Sequence, residues 1–127
     1  MRYLTDILLV FIGGGLGSVT RFLLGRWVNA LHSLNFPLGT LAVNVVACLV
    51  LGFVVGAADH RQVISPALRL FWTIGFCGGF STFSTFSAET LELIQNGFHL
   101  STALYILSSL VLCLGATLGG IVWGEHT

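Results

Sequence analysis

The stretch Gly75-Phe76-Cys77-Gly78-Gly79-Phe80-Ser81-Thr82-Phe83-Ser84-Thr85-Phe86-Ser87-Ala88-Glu89 decides how the rest of this chain is read. Its three glycines within five residues weaken helical backbone, because glycine has the most conformational freedom to lose. A helix broken near Gly75–Gly79 is therefore expected. The stretch continues as a triplet repeat, Phe-Ser-Thr, Phe-Ser-Thr, Phe-Ser-Ala. Residues three apart lie on nearly the same helical face. Phe80, Phe83 and Phe86 are expected to form an aromatic stripe, with Ser81, Ser84 and Ser87 in a second stripe and Thr82 and Thr85 in a third. So many hydroxyls have no use in a soluble core, but they suit a passage for a small polar species.

The composition around this stretch is that of a bilayer protein. Of 127 residues, 55% are hydrophobic and only 8% charged, and mean hydropathy is +0.94, whereas soluble domains carry roughly 25% charged residues. At about 20 apolar residues per crossing, the length allows four spans and no soluble domain. The chain reads as a single all-α integral membrane domain, residues 1–127, with four transmembrane helices over about 4–28, 38–58, 67–94 and 100–123. Zero net charge excludes a nucleic-acid footprint. No cleavable signal peptide is expected, since the first apolar run continues too far. Cys48, Cys77 and Cys113 each lie in an apolar run with no metal-binding spacing, which suggests small-residue packing.

Small residues mark close helix contacts. Gly13-Gly14-Gly15-Leu16-Gly17 gives span one a small face, and Gly52 and Gly56 form a GxxxG pair in span two. Pro37 ends one connection. Asp59-His60-Arg61-Gln62-Val63-Ile64-Ser65-Pro66 reads as a polar turn, and Asn96-Gly97 as another. With four spans, Arg2, Arg61 and Arg69 fall on one side of the membrane, and Arg26 and Arg21 towards the other. That basic bias is weak by the positive-inside rule. Such a bias leaves insertion open in either orientation, and a chain that inserts both ways can build an antiparallel homodimer about a two-fold axis in the membrane plane.

Polar residues inside spans face a bundle interior or a watery cavity. Asn44 serves either a helix–helix hydrogen bond or a pore wall. Tyr105, Ser109, Cys113 and Thr117 repeat at i, i+4 and make one polar face along span four, although Ser and Thr in such helices also bond their own backbone. Glu89 is the acid nearest this track, and cation channels usually show whole rings of carboxylates. Here donors dominate, and phenyl ring edges carry partial positive charge, so Phe83 and Phe86 are compatible with an anion. Arg21 is either an interfacial snorkeller or an anion-attracting group. The break is either a kink or a place where freed carbonyls hold a small cation. No catalytic dyad, phosphate loop or metal cluster occurs, so the chain is not expected to be an enzyme.

Arg21 after the glycine-rich segment, Gly39-Thr40-Leu41-Ala42-Val43-Asn44, and the Gly75–Glu89 stretch together resemble the bacterial Fluc/CrcB fluoride channels. The resemblance spans the whole chain. It implies passive export of fluoride across the bacterial inner membrane by an antiparallel dual-topology homodimer with two pores. It also implies a structural sodium ion at the dimer centre, held by the backbone carbonyls of Gly78 and Ser81 from both copies. The implied ion pathway comprises Arg21, Thr40, Asn44, Thr82, Phe83, Thr85, Phe86, Glu89, Tyr105, Ser109 and Cys113. Family members often have Thr-Thr-Phe where this chain has Ser81-Thr82-Phe83. They often have serine at position 113, where cysteine is a weaker donor. Of two other classes, a small drug or cation exporter calls for an acid deep in span one, where this chain has only Asp6 at the edge. A purely structural subunit has no need of the polar register on span four.

Overall fold

The computed structural model describes residues 2–61 and 64–127 and is helical throughout, with no strand among the described residues. Helix α1 spans Arg2–Ala30. Helix α2 spans Leu38–Gly56 and runs on through a wide π-type turn, Ala57–Arg61. Helix α3 covers residues 66–80: a first turn Pro66–Leu70, a π-type segment Phe71–Cys77 and a last turn Gly78–Phe80. Helices α4 and α5 span Phe83–Gln95 and His99–Glu125. The polar turn expected over Asp59–Pro66 is helical at its start, and Gln62 and Val63 lie outside the described residues. Asp59 and Arg69 close this connection with an ion pair at 2.5 Å.

Among the described residues, three segments, Arg2–Ala30, Leu38–His60 and His99–Glu125, are long and apolar enough to cross a membrane. Most of their large apolar side chains point outward, among them Phe11, Leu23, Leu107 and Leu114. That surface is intelligible only against lipid, because a soluble monomer rarely exposes large contiguous apolar area. The chain is a multi-pass membrane protein.

Glycines set the helix pairs. A Cβ on Gly17 would overlap the Phe76 carbonyl, and one on Gly79 would overlap the Gly14 carbonyl. On the other pair, Gly52 and Gly56 meet Thr117 and Ile121, while Gly120 and Gly124 meet Leu49 and Phe53. Partner numbers rise together in both sets, so α1 runs parallel to α3 and α2 runs parallel to α5. Without a hydrophobic drive between helices in lipid, such backbone approach supplies the packing. Two small cores fill the remaining space. Val43, Ala47 and Phe80 pack with Leu24 and Phe76; Leu41, Leu93 and Tyr105 pack with Phe36 and Phe86.

The interruption lies at Ser81 and Thr82, not over Gly75–Gly79 as the glycines suggest. Both residues are extended, with φ −76°, ψ 157° at Ser81 and φ −150°, ψ 116° at Thr82. Gly75 and Gly79 stay helical because their missing side chains are needed against α1. The aromatic and hydroxyl stripes expected on a continuous helix do not form across this break. Phe80 is turned into the core at 2% exposure, while Phe83 on the far side of the break is 78% exposed.

Candidate functional site

Asn44 holds the break open. Thr82 N–H donates to Asn44 Oδ1 at 2.8 Å, and Asn44 Nδ2 donates to the Thr82 carbonyl at 3.1 Å. The amide side chain thus replaces a neighbouring peptide where the chain has none. Thr82 also caps α4: its Oγ1 accepts from Thr85 N–H at 3.2 Å and donates to Thr85 Oγ1 at 2.9 Å. These two side-chain partners take the amide protons that would otherwise close helical bonds to Gly78 and Ser81, four residues back. The helical donor to the Gly78 carbonyl goes to Asn44, and the N–H four residues after Ser81 goes to the Thr82 cap.

Arg21 answers the end of α3. Its Nε donates to the Gly79 carbonyl at 3.0 Å, and Ser18 Oγ reaches the same oxygen at 3.5 Å. A cation at a helix C-terminus meets orphan carbonyls and the negative end of the dipole. Arg21 is therefore neither a simple snorkeller nor a free charge. It also faces a cavity of about 210 Å³ with Arg26, Asn29, Thr40, Thr82 and Thr85 on its wall. Two guanidiniums and no acid line that space, which makes it electropositive.

A second cavity of about 290 Å³ adjoins the Asn44–Thr82 pair. Its wall carries Asn44, Ser81, Thr82, Phe83 and Phe86, together with Ser109, Cys113 and Thr117 of α5. Thr82 lines both spaces, and Asn44, bonded to it, lines the second. The Phe83 and Phe86 rings lie 5.6 Å apart at 40°. Ser109 Oγ is buried with no partner among the described residues, so its proton is available to a guest. Thr117 Oγ1 instead donates to the Cys113 carbonyl at 3.0 Å, and Ser81 Oγ donates to the Cys77 carbonyl at 2.8 Å.

The polar register on α5 is split. Tyr105, at its start, is fully buried and does not line the second cavity. Its hydroxyl donates to Glu89 Oε1 at 3.4 Å, and Thr40 Oγ1 donates to the same oxygen at 2.5 Å. The Tyr105 ring packs 5.0 Å from Phe86 and 5.5 Å from Phe36. Glu89 thus consumes two hydroxyl protons that the sequence assigns to the track. Its cavity is a third one of about 350 Å³, shared with Glu92, Asn29, His32 and Asn35. Sequence reasoning missed the two side-chain clamps at Thr82. A threonine before a helical run is a capping signal, but its pairing with Asn44 joins residues too far apart for any local pattern to show.

Comparison with known proteins agrees with this architecture. The family described as "CrcB-like protein, Camphor Resistance (CrcB)" matches residues 8–121. A protein of Geobacter sulfurreducens named "Fluoride-specific ion channel FluC" is 46% identical over 119 residues, covering 94% of this chain and 96% of its own length. Proteins of the same name from Phocaeicola vulgatus, 46% identical, and Agrobacterium fabrum, 42% identical, match 93% and 95% of this chain and 96% and 97% of their own. With the match running from α1 nearly to the end of α5, through both cavities and the break, the chain belongs to the CrcB-like family.

Proposed function

We propose that this protein is a fluoride-selective passive channel that exports fluoride across the bacterial inner membrane, and not an enzyme. The observation that carries the reading is the pair of cavities that share Thr82 on their walls, one electropositive and one lined by hydroxyl, amide, thiol and phenyl groups without a carboxylate. The names of the relatives point to the same ion. Fluoride is small and strongly hydrated, so its passage needs many donors at close quarters to replace water. The arginines raise the local anion concentration. Thr85, Ser109 and the second Asn44 N–H then supply protons along the wall. Phenyl edges at Phe83 and Phe86 add partial positive charge that binds weakly enough to let the ion leave.

In this reading α3 and α4 together make a fourth crossing, and two chains pair antiparallel to form two pores. Phe83 supports the pairing: it lines the second cavity yet is 78% exposed in one chain, so that cavity is open on the side where a second copy would stand. A structural sodium ion fits the same assembly. The Gly78 and Ser81 carbonyls lose their helical donors to Asn44 and Thr82, and Gly78 is exposed with no other group within 4 Å of a Cβ built there. Carbonyl oxygens are hard ligands suited to such an ion. Gly78 and Ser81 of both copies would hold it, where it would fix the dimer and not be transported.

The test is fluoride efflux from proteoliposomes driven only by its gradient, with chloride in parallel. Fluoride efflux with negligible chloride efflux is expected. Comparable rates for the two anions would refute the selectivity.

A further inference from the structure

We propose that Cys48 and Cys113 form a two-thiol site for a soft, thiophilic cation of the Cu(I), Ag(I) and Hg(II) class, placed so that the bound ion obstructs the second cavity. The pairing follows from helix register. Helices α2 and α5 run parallel, and Gly52 lies against Thr117. One turn back along each helix brings Cys48 and Cys113 together, since residues four apart share a face. Both cysteines stand on the wall of the same 290 Å³ cavity. Both are free.

The third cysteine adjoins Cys48 but is not on the wall of the 290 Å³ cavity. Cys77 is buried, and its Sγ donates to the Ala47 carbonyl at 3.7 Å. It shares a different space, of about 220 Å³, with Cys48, and Cys113 is not on that wall. The site is thus two sulfurs from two helices.

Two facing sulfurs suit a cation that accepts two-coordinate soft ligation. On binding, two S–H bonds break, two metal–sulfur bonds form, and the protons leave to water through the cavity. No electron changes hands and no oxidant is needed. The cavity wall adds Asn44, hydroxyls, phenyl rings and leucines but no carboxylate or imidazole, so it offers hard divalent ions little. An ion bridging the pair would lie beside Ser109 and Asn44, in the space assigned above to fluoride. The obstruction, though not the binding, rests on the conduction reading.

The probe is mercuric chloride on the full-length protein. In detergent, the wild-type chain should retain about one Hg(II) per chain against excess 2-mercaptoethanol, a monothiol competitor. The link between two sulfurs on one scaffold raises the effective concentration of the second. Cys48→Ala and Cys113→Ala should each lose at least about tenfold in retention, and Cys77→Ala should match wild type. In proteoliposomes, Hg(II) should stop fluoride efflux in wild type and Cys77→Ala, with dithiothreitol restoring it. Cys48→Ala should keep its own uninhibited rate under the same treatment. Equal retention by the Cys48→Ala/Cys113→Ala double variant, or loss confined to Cys77→Ala, would overturn the site. Retention by the pair with undiminished efflux would overturn its placement in the path. If the chain passed no fluoride at all, the binding result would still decide the site while the conduction reading fell.

Discussion

Replacing Asn44 by alanine should cost the folded chain about 2–4 kcal/mol, and the structure says where the loss arises. Two hydrogen bonds vanish, at 2.8 and 3.1 Å, but their loss is unequal. Thr82 N–H stands in extended backbone at a chain break and has no second acceptor within the helix pattern. Leaving such a donor unmet costs about 1–3 kcal/mol. The Thr82 carbonyl begins α4 as its N-cap and retains a lone pair for the first helical bond, so losing Asn44 Nδ2 there costs about 1 kcal/mol. Asn44→Asp should separate the two parts. It keeps an acceptor for Thr82 N–H but sets an oxygen against the Thr82 carbonyl, and it places a negative charge on the wall of the second cavity. Fluoride efflux should fall strongly in Asn44→Asp even where folding survives. Unfolding equilibria in detergent would measure the stability loss; about 3 kcal/mol is roughly a 150-fold change in the folded-to-unfolded ratio. An Asn44→Ala chain within about 0.5 kcal/mol of wild type would refute the clamp.

Gly17→Ala should destabilise by about 1–3 kcal/mol through overpacking, because its Cβ would overlap the Phe76 carbonyl. Gly15→Ala, with open space at its Cβ, should be neutral or slightly stabilising on helix propensity; thermal unfolding of the two side by side checks the glycine face. Phe83→Ile keeps bulk but removes the ring quadrupole, so fluoride efflux should drop at least about tenfold with the dimer intact; unchanged efflux would make Phe83 a packing residue. Gly78→Val meets nothing within one chain, so the monomer should fold while dimer yield and fluoride flux fall together, as they should in sodium-free buffer. Full activity and full dimer under both treatments would remove the proposed ion. Single-cysteine labelling at loop positions should find both orientations; one-sided labelling everywhere would exclude dual topology.

The all-helical membrane architecture was legible because hydropathy at 8% charge admits little else. The small-residue faces were legible too: Gly13 and Gly17 on α1, and Gly52 and Gly56 on α2, make the contacts their spacing suggests. The exact break was not. Glycine's low helix propensity describes water-exposed helices, whereas at membrane depth Gly75 and Gly79 are held helical by backbone contact with α1. What ends α3 is two extended residues whose polar groups are met by Asn44 and by the Thr82 hydroxyl. Propensity scales do not contain such partners. The same limit explains Tyr105. Its i, i+4 register with Ser109 and Cys113 is genuine, but Glu89 and Phe36 draw its hydroxyl and ring away from the second cavity.

One economy links the break to the pathway. A helix interrupted at membrane depth leaves backbone groups that lipid cannot satisfy. Here they are met in three ways, each tied to the cavities. Arg21 satisfies the Gly79 carbonyl with Nε and also lines the electropositive cavity. Asn44 satisfies both groups of Thr82 and keeps one N–H over. Thr82 caps α4 through the same hydroxyl that lines both spaces. The residues that stabilise the break therefore also line the proposed path. Removing one should impair folding and flux together, whereas Ser109, which has no partner among the described residues, should affect flux alone. Ser109→Ala deletes a buried hydroxyl that makes no bond to the described residues, so stability should hold or rise slightly while fluoride efflux falls. Lost stability in that variant, with efflux unchanged, would show that its hydroxyl serves the fold and not the ion.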